Sequence, residues 1–506
     1  MRNRIACLWL SLVVLLASSA QAGHYEFRVT FPETVRAEPY SGRVYLFLSK
    51  VGNKEPRSGP NWFHPEPLLA IDVENWKPNE PLMIGDSSGN RVLADPKPLA
   101  ELDLAGYRVQ AVARFNPYER VVGRGPGNGF SAPAEVSSTS GPGSPQELLI
   151  DKLVPESPFP ENRWFKLVSV RSQLLSSFHK RDVVVRGSVL LPASYYDQPE
   201  RRYPVIFEVP GFGGSHVSRR LTEPIREKNA GGVEFLRVTL DPSCPLGHHV
   251  FADSANNGPV GQALVAELIP ELDRAFRTVA MPTARFLTGH SSGGWSSLWL
   301  QVVYPDVFGG TWSTAPDPVD FRDFQQINLY RPGENMYRNM AGNRRPLARM
   351  GDKIALWYDD FDHTEEVLGY GGQLHSFEAV FGPPGADGNP LRAWDRSTGA
   401  INTDVAKEWK KYDIRLVLEQ NWSGLGPRLA GKLHVFQGEL DTFYLDGATR
   451  LLKESLAKLN SDAVVELVPG KTHFDLITQE LNLRFRAEMA QSYLKHHQPN
   501  DSTRAP

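Results

Sequence analysis

The sequence predicts an α/β domain with a large cap insertion, preceded by a small all-β domain. Three observations lead to this prediction. Apolar residues alternate with polar ones before residue 160, strands alternate with helices after it, and about a hundred residues interrupt that second pattern. We therefore expect a β-domain over 23–160 and an α/β domain over 161–497 with its cap at about 318–425. A leader over 1–22 and a disordered tail over 498–506 complete the division of the chain.

The first 22 residues have the pattern of a signal peptide. Arg2 and Arg4 precede a nearly continuous apolar run over 5–17, and residues 20–22 read Ala-Gln-Ala, a small-x-small cleavage pattern. The run is too short to span a bilayer comfortably, and no later stretch approaches transmembrane length. We expect cleavage after Ala22 and an exported mature protein, periplasmic or extracellular, with no membrane span.

Composition excludes several classes of protein. A hydrophobic content of 41% supplies a sizeable core and excludes wholesale disorder. The 55 Lys and Arg nearly balance the 58 Asp and Glu, so the charge of −3 gives no reason to expect nucleic acid as a partner. Once the leader is removed, Cys244 is the single cysteine, and stability must come from packing rather than an intramolecular disulfide.

The β-domain is predicted from segments in which alternate residues are apolar. Such segments cover 24–31, 43–48 and 107–113, and Gly, Pro, Ser and Asn fill the gaps between them. This pattern is typical of an antiparallel, Ig-like sandwich, with a long loop near 120–145. A proline cluster at 155–160 suits the connection to the next domain.

The second domain is predicted from the alternation of strands and helices. Strands are expected at 182–191, 205–209, 235–240, 285–287, 310–313, 433–437 and 463–468, and helices at 263–276, 294–304, 446–459 and 478–496. Such alternation implies a mostly parallel sheet that is covered on both faces. Residues 318–425 are too many for a simple crossover and are predicted to form the cap.

A nucleophile motif follows one of the predicted strands. Residues 289–293 read GHSSG and fit the pattern G-x-S-x-G, with Ser291 at its centre. The strand at 285–287 enters the motif and a helix leaves it, which is the context that a nucleophile elbow requires. The helix N-terminus then directs amide groups toward an oxyanion. Ser291 is therefore the predicted nucleophile.

A serine nucleophile needs a base, and the base needs an acid that orients it. In this strand–elbow–helix arrangement the order along the chain is Ser, acid, His. Asp441 follows the strand at 433–437 and His473 follows the strand at 463–468, and we predict that they are the acid and the base. Glu439 and Asp446 are weaker candidates for the acid, and Asp317 is a more distant one.

The oxyanion hole needs a second backbone N–H beside that of Ser292. Residues 209–215 read VPGFGGS after the strand at 205–209, and we predict that Phe212 or Gly213 supplies it. A phosphate-binding loop is the rival interpretation, but the segment lacks both a Walker lysine and G-x-G-x-x-G spacing.

Further polar residues are candidates for the wall of a substrate pocket. His248, His249, Asn256 and Asn257 lie before the helix that starts near 259, and Asp317 follows the strand at 310–313. Adjacent histidines rarely face one ion together, and the ligand spacing of a zinc site is missing. We therefore expect neither a metal nor another cofactor.

Two segments resemble a known family. Residues 286–295 (FLTGHSSGGW) and 304–310 (YPDVFGG) look like the putative-esterase (esterase D-like, enterochelin esterase-related) family of α/β-hydrolases. That family includes enterochelin esterases, feruloyl esterases and mycolyltransferases, and the resemblance covers roughly 165–497. It implies an α/β-hydrolase fold and serine ester chemistry, and a β-domain ahead of the hydrolase is similar to the layout of enterochelin esterases. The loop that starts Pro210-Gly211, where relatives often have His-Gly, and the long insertion after residue 317 depart from the family.

The expected activity is that of a secreted serine carboxylic-ester hydrolase with a Ser-His-Asp triad and an acyl-enzyme intermediate. Its expected substrate is a small-molecule or polymer-linked ester. An acyltransferase of the mycolyltransferase type and a non-catalytic protein that binds a glycan or a partner are the alternatives. A peptidase of the prolyl-oligopeptidase kind is disfavoured, because about 140 N-terminal residues cannot build the large propeller that gates such sites.

Overall fold

The structure of the protein is a computed structural model. This structure describes residues 25–50, 52, 55–137, 145–218, 221–224, 226 and 231–497. The predicted signal peptide and the predicted tail lie outside the described residues. In the described part of the chain, no helix has the length and apolarity needed to cross a membrane.

The first part of the described chain is a β-structure. Its strands are β1 (Glu26–Thr30), β2 (Tyr40–Lys50), β3 (Leu68–Trp76), β4 (Leu82–Gly85), β5 (Leu93–Asp95), β6 (Tyr107–Ala113), β7 (Gly129–Ser131), β8 (Ala134–Glu135) and β9 (Gln146–Leu153). Hydrogen bonds connect them into one sheet in the order β4-β1-β9-β7-β6-β2-β3-β5, and β8 pairs with β6. The predicted all-β character is present, but the Ig-like sandwich is not confirmed, because hydrogen bonds join all nine strands into one sheet and β1 pairs with β9 in parallel.

The expected loop near 120–145 contains two short strands. Both β7 and β8 pair with β6. They have three and two residues, and Gly and Pro lie close to both, so no run is long enough to show a period of two.

The second sheet contains the strands that the sequence predicts for the α/β domain, with one more at its start. Its members are β10 (Phe165–Arg171), β11 (Val184–Leu190), β12 (Val205–Val209), β13 (Leu236–Leu240), β16 (Arg285–His290), β17 (Gly310–Thr314), β20 (Leu433–Gly438) and β21 (Val464–Val468). The intervening labels belong to two hairpins, β14 (Ser243–Cys244) with β15 (Gly247–His248), and β18 (Pro346–Met350) with β19 (Lys353–Trp357). The sheet order is β10-β11-β13-β12-β16-β17-β20-β21, antiparallel at the first two junctions and parallel beyond them.

The helices lie between these strands. They are α1 (Gln173–His179), α2 (Val260–Ala263), α3 (Ile269–Ala275), α4 (Ser292–Val303), α5 (Tyr358–Leu368), α6 (Gln373–Phe381), α7 (Thr403–Trp409), α8 (Ile414–Leu429), α9 (Asp446–Lys458) and α10 (Gln479–His496). A π-helical turn, Leu264–Leu268, joins α2 to α3, so the predicted helix at 263–276 is continuous in space.

Both faces of the second sheet are covered by helices. Val205 and Phe207 of β12 pack with Leu272 of α3. Ile206, which lies between them and points the other way, belongs to a cluster that includes Phe485 of α10. A mixed sheet with helices on both faces fits the α/β-hydrolase prediction.

The chain between β17 and β20 forms an aromatic layer over α4. Trp295 of α4 stacks on Trp299, and its ring contacts Phe381 of α6 at 5.3 Å. Phe381 in turn lies 5.3 Å from Trp409 of α7. This segment contains the hairpin β18–β19 and helices α5 to α8, and its helix α6 is thereby held above the end of β16, where the nucleophile motif lies.

Candidate active site

The nucleophile motif forms a sharp turn between β16 and α4. Ser291 is the single residue between them and has φ 61° and ψ −127°, a strained conformation that costs on the order of 1–3 kcal/mol. A backbone hydrogen bond stabilises this conformation, because the Ser291 N–H donates to the carbonyl of Thr314 at 3.0 Å. A Cβ on Gly293 would clash with the carbonyl of Val209, so the motif's small residues are required by the approach of β12.

Asp441 and His473 are in direct contact. Asp441 is fully buried just after β20, and its Oδ2 accepts a hydrogen bond from Nδ1 of His473 at 2.8 Å. The N–H groups of Phe443 (2.8 Å) and Leu445 (3.4 Å) donate to its Oδ1, and Gln437 Nε2 donates to Oδ2 at 3.0 Å. With its proton on Nδ1, His473 keeps an unprotonated Nε2 that can act as a base.

The other acid candidates have other partners. Glu439 lies 3.9 Å from Arg450, and Asp446 lies between Arg349 and Arg450 at 3.4 and 3.6 Å. Among the candidates, Asp441 is the one that the structure brings to His473.

The histidine pair joins the base to the nucleophile elbow. The ring centroid of His473 lies 4.5 Å from that of His290, the residue directly before Ser291. Burial, and after it the charge of His473, lowers the pKa of His290 to about 4. His290 is therefore neutral at physiological pH and adds no second positive charge beside the base.

Asp317 is closer to the nucleophile than its place in the sequence suggests. Its side chain is buried, Oδ1 lies 3.5 Å from Ser291 Oγ, and Oδ2 accepts a hydrogen bond from Ser292 Oγ at 2.5 Å. Gln373, at the start of α6, donates to Ser292 Oγ at 3.2 Å and to Asp317 Oδ2 at 3.4 Å. Burial raises the pKa of Asp317 to about 6, against the lowering effect of the hydrogen bond from Ser292.

The loop after β12 turns beside the nucleophile. A Cβ on Gly211 would lie 3.3 Å from the Cβ of Ser291, so this backbone passes directly over the elbow. Gly213 has φ +85°, and Gly214 N–H closes the turn on Gly211 O at 3.0 Å. Phe212 and Gly213, the predicted oxyanion donors, thus belong to a turn that lies beside the elbow and the N-terminus of α4.

The side chains of the remaining pocket candidates form hydrogen bonds that fix neighbouring loops. His248 Nε2 hydrogen-bonds to Pro210 O at 2.9 Å, and Nδ1 of His249 accepts the Phe251 N–H at 3.1 Å. Burial lowers the pKa of these two histidines to about 3 and about 4, so both are neutral. Asn256 donates to the carbonyls of Ala379 and Gly382 around the end of α6, and buried Asn257 accepts from Cys244 Sγ at 3.5 Å. The structure does not bring these four side chains to Ser291.

Within the described ranges, no group of three or more His, Cys, Asp or Glu side chains is arranged to hold a metal ion.

Four residues near the site carry no local signal in the sequence. Gln373 reaches Ser292 and Asp317 from the cap, and Trp62, Phe63 and Arg120 reach the site from the N-terminal sheet. A side chain that arrives from a distant element has no spacing relative to the motif, so the primary sequence alone could not identify it.

One family model matches part of the chain. Residues 180–413 match the model of the family described as "Putative esterase". No protein with a curated description matches the chain.

Several solved structures are similar to the chain. An S-formylglutathione hydrolase from Agrobacterium tumefaciens is 15% identical with a TM-score of 0.35, over 66% of this chain and 94% of that one. A fluorophosphonate-binding serine hydrolase of Staphylococcus aureus is 12% identical with a TM-score of 0.38, over 64% and 98%. A ferulic acid esterase from Anaeromyces mucronatus is 12% identical with a TM-score of 0.34, over 67% and 94%.

All three TM-scores lie below 0.5, so the assignment rests on the family match. Residues 180–413 belong to the putative-esterase family, and the protein is a carboxylic ester hydrolase.

Proposed function

We propose that the protein is an exported serine esterase whose triad is Ser291, His473 and Asp441. The observations that carry this proposal are the 2.8 Å hydrogen bond between His473 and a fully buried Asp441, and the 4.5 Å between the ring of His473 and that of His290, the residue directly before the strained Ser291. A carboxylate–imidazole pair at a serine elbow is the arrangement that activates a hydroxyl for attack on an ester.

The chemistry proceeds in two halves. Ser291 Oγ attacks the ester carbonyl while His473 Nε2 takes the hydroxyl proton, and the carbonyl oxygen becomes an oxyanion. When the C–O bond to the alcohol breaks, His473 returns that proton to the leaving oxygen, and an acyl-enzyme remains. Water then attacks the acyl-enzyme while His473 takes a proton from it. His473 returns this proton to Ser291 Oγ as the bond between Oγ and the acyl group breaks, and the carboxylic acid is released.

Two backbone N–H groups stabilise the oxyanion in this proposal. One belongs to Ser292 at the N-terminus of α4, where the first amides of a helix have no partner within it. The other belongs to Phe212 or Gly213. Asp441 holds the Nδ1 tautomer and stabilises the imidazolium that forms in each half-reaction.

Export follows from the leader pattern. We propose that the mature chain starts at Gly23, and mass spectrometry of the secreted protein would read its first residue.

A fluorophosphonate probe tests the catalytic proposal. It should label Ser291 in the wild-type protein, and Ser291→Ala should abolish both labelling and the hydrolysis of p-nitrophenyl acetate. Ser194→Ala is a matched control, because Ser194 also donates to a carboxylate, Glu234, at 2.5 Å, but its hydroxyl contacts Tyr203 at 2.9 Å and Arg201 at 3.4 Å rather than a histidine. Full hydrolysis by Ser291→Ala would refute the proposal.

A further inference from the structure

The loop between β2 and β3 ends with two aromatic side chains at the catalytic face. Trp62 is 36% exposed, and Phe63 is partly buried against the aromatic core of the cap and sheet. Both belong to the N-terminal β-structure, whose purpose the sequence does not indicate.

Trp62 contacts the proposed oxyanion loop and helix α5. Its ring lies 5.4 Å from Phe212 of the proposed oxyanion loop and 4.9 Å from Phe361 of α5. Arg120, from the same N-terminal structure, lies 5.0 Å from the Phe212 ring, and its guanidinium donates to Gly213 O at 3.4 Å. The N-terminal structure therefore holds the oxyanion loop through Phe212 and Gly213.

Phe63 contacts the loops that carry the acid and the base. Its ring lies 6.1 Å from Phe443 and 6.3 Å from Phe474. Those two rings lie 4.9 and 5.5 Å from the ring of His473. Trp62 thus contacts the proposed oxyanion loop, and the next residue, Phe63, contacts the two rings that surround His473.

The surface around His473 is apolar and open. Phe474 is 64% exposed, Leu440 is 50% exposed and Ile477 is 38% exposed, all on the loops that carry Asp441 and His473. Exposed apolar groups gathered beside a catalytic side chain are characteristic of a binding site, because a ligand covers them. Phe63 contacts this surface at Phe474.

We propose that Trp62 and Phe63 form one wall of the ester-binding cleft, and that the ester carries an apolar chain or ring next to the scissile carbonyl. This proposal rests on the proposed function, since it assigns the substrate class of the same site. Rigid aromatic side chains supply contact area at low entropic cost, and their exposed faces leave water when an apolar group binds. An acetyl or charged group would leave these faces exposed and gain little from them.

Two isomeric esters test the proposal and locate the apolar group. Ethyl octanoate carries its chain on the acyl side and octyl acetate carries it on the alcohol side, and ethyl acetate has no chain. The wild-type protein should have the highest kcat/KM for one of the two isomers, and that isomer identifies the side that Trp62 and Phe63 contact.

Truncation of the wall should affect the preferred isomer selectively. Trp62→Ala and Phe63→Ala should each lower its kcat/KM roughly 10–100-fold, mainly through KM, and should lower that of ethyl acetate much less. Trp62→Phe should retain most of the preference. Tyr118→Ala is the control, because Tyr118 is another exposed aromatic of the N-terminal structure, 57% exposed, whose ring contacts Arg181.

The outcomes separate this proposal from the catalytic one. The wall proposal would be overturned if Trp62→Ala and Phe63→Ala lowered kcat/KM equally for all three esters, or lowered it for none. The catalytic proposal would still stand in that case if the probe labels Ser291. A wild-type protein that cleaves none of the three esters and is not labelled at Ser291 would overturn both. Far-ultraviolet circular dichroism of each variant shows that the loss is not one of folding.

Discussion

At the scale of single residues, the buried carboxylate of Asp441 determines which nitrogen of His473 is free. Four hydrogen bonds converge on it, two of them from backbone N–H groups. Such bonds fix the position of the carboxylate, so the imidazole is oriented before substrate arrives.

Asp441→Asn should lower kcat about 10³–10⁴-fold, because an amide that donates to Nδ1 holds His473 in the wrong tautomer. The measurement is kcat for p-nitrophenyl acetate at pH 8. Glu439→Gln is the matched control, since Glu439 is the neighbouring acid candidate and is paired weakly with Arg450. An Asp441→Asn variant that keeps its kcat while Glu439→Gln loses it would transfer the role to Glu439.

Asp317 should make the stability of the fold depend on pH. Burial raises its pKa to about 6, above the value of roughly 3.9 in an unfolded chain. Between these values the folded state binds a proton that the unfolded state does not, so the free energy of unfolding falls as pH rises from 4 to 6. The loss is on the order of 3 kcal/mol and remains constant at higher pH.

Asp317→Asn should remove this dependence, because an amide does not titrate. Relative to the wild type, the variant's free energy of unfolding should improve by up to about 3 kcal/mol between pH 4 and pH 7, measured by urea denaturation. Asp306→Asn is the control: the hydrogen bond from Arg428 lowers the pKa of this exposed carboxyl, so its titration does not reduce stability as the pH rises. A parallel pH profile for wild type and Asp317→Asn would contradict the prediction.

At the scale of elements, the approach of α4 to β12 creates the nucleophile elbow. Gly293 lies in the first turn of α4, where its Cα faces the carbonyl of Val209, and Gly294 beside it faces the carbonyl of Thr314. The helix can lie this close to two strands only because both positions lack a Cβ.

Gly293→Ala should destabilise the protein by several kcal/mol or prevent its folding, because the new methyl group clashes with rigid backbone. Gly424→Ala is the matched control. Gly424 lies in helix α8 with no atom within 4 Å of a new Cβ, so alanine there should be neutral or stabilise by up to about 1 kcal/mol. Thermal denaturation of the two variants compares them, and equal melting temperatures would contradict the packing argument.

A second element, the cap helix α6, is fixed by a carboxylate at its N-terminus. Glu365 of α5 is buried, and its carboxylate accepts the N–H groups of Gln373, Leu374 and His375. These are the amides of the first turn, which have no partner within the helix. The same contact places the side chain of Gln373 at Ser292, so the cap reaches the elbow through one side chain.

At the scale of the whole molecule, the N-terminal sheet and the cap share a polar and apolar seam. Tyr45 and Phe47 of β2 pack against Val367, while Val44 and Leu46 point into the sheet's own core. Arg43 donates to the carbonyls of Glu366 and Val367 at 2.7 and 3.1 Å. This seam joins the N-terminal sheet to helix α5.

Tyr45→Phe should lower the free energy of unfolding by about 1 kcal/mol, because the buried hydroxyl donates to Leu368 O at 2.8 Å across the seam. Urea denaturation measures the change, and Tyr118→Phe, at an exposed position, should leave it unaltered. No change in Tyr45→Phe would mean that the seam contributes little to stability.

Much of the α/β domain and its chemistry could be predicted because the signals are local. A strand that enters GHSSG, with a helix after it, defines the elbow at Ser291 within a few residues. Asp441 and His473 could be named because strands in this fold place their following loops at one edge of the sheet. The structure brings these two residues into hydrogen-bonding contact. The topology of the N-terminal sheet was harder to predict from the sequence, because short strands such as β8 show no period of two and strands that pair are far apart along the chain.

By itself, therefore, the sequence determined the order of the main strands and helices of the α/β domain, and it predicted a nucleophile and the acid and base that follow it along the chain. Tertiary structure alone decided that His248 and His249 hold loops, that Gln373 reaches Ser292, that Trp62 contacts Phe212, and that Phe63 contacts Phe474. The physical reason is the range of the interactions. Periodicity and strand-end position are encoded within neighbouring residues, whereas a contact between a loop of one sheet and the active site of another exists only after the whole chain has packed.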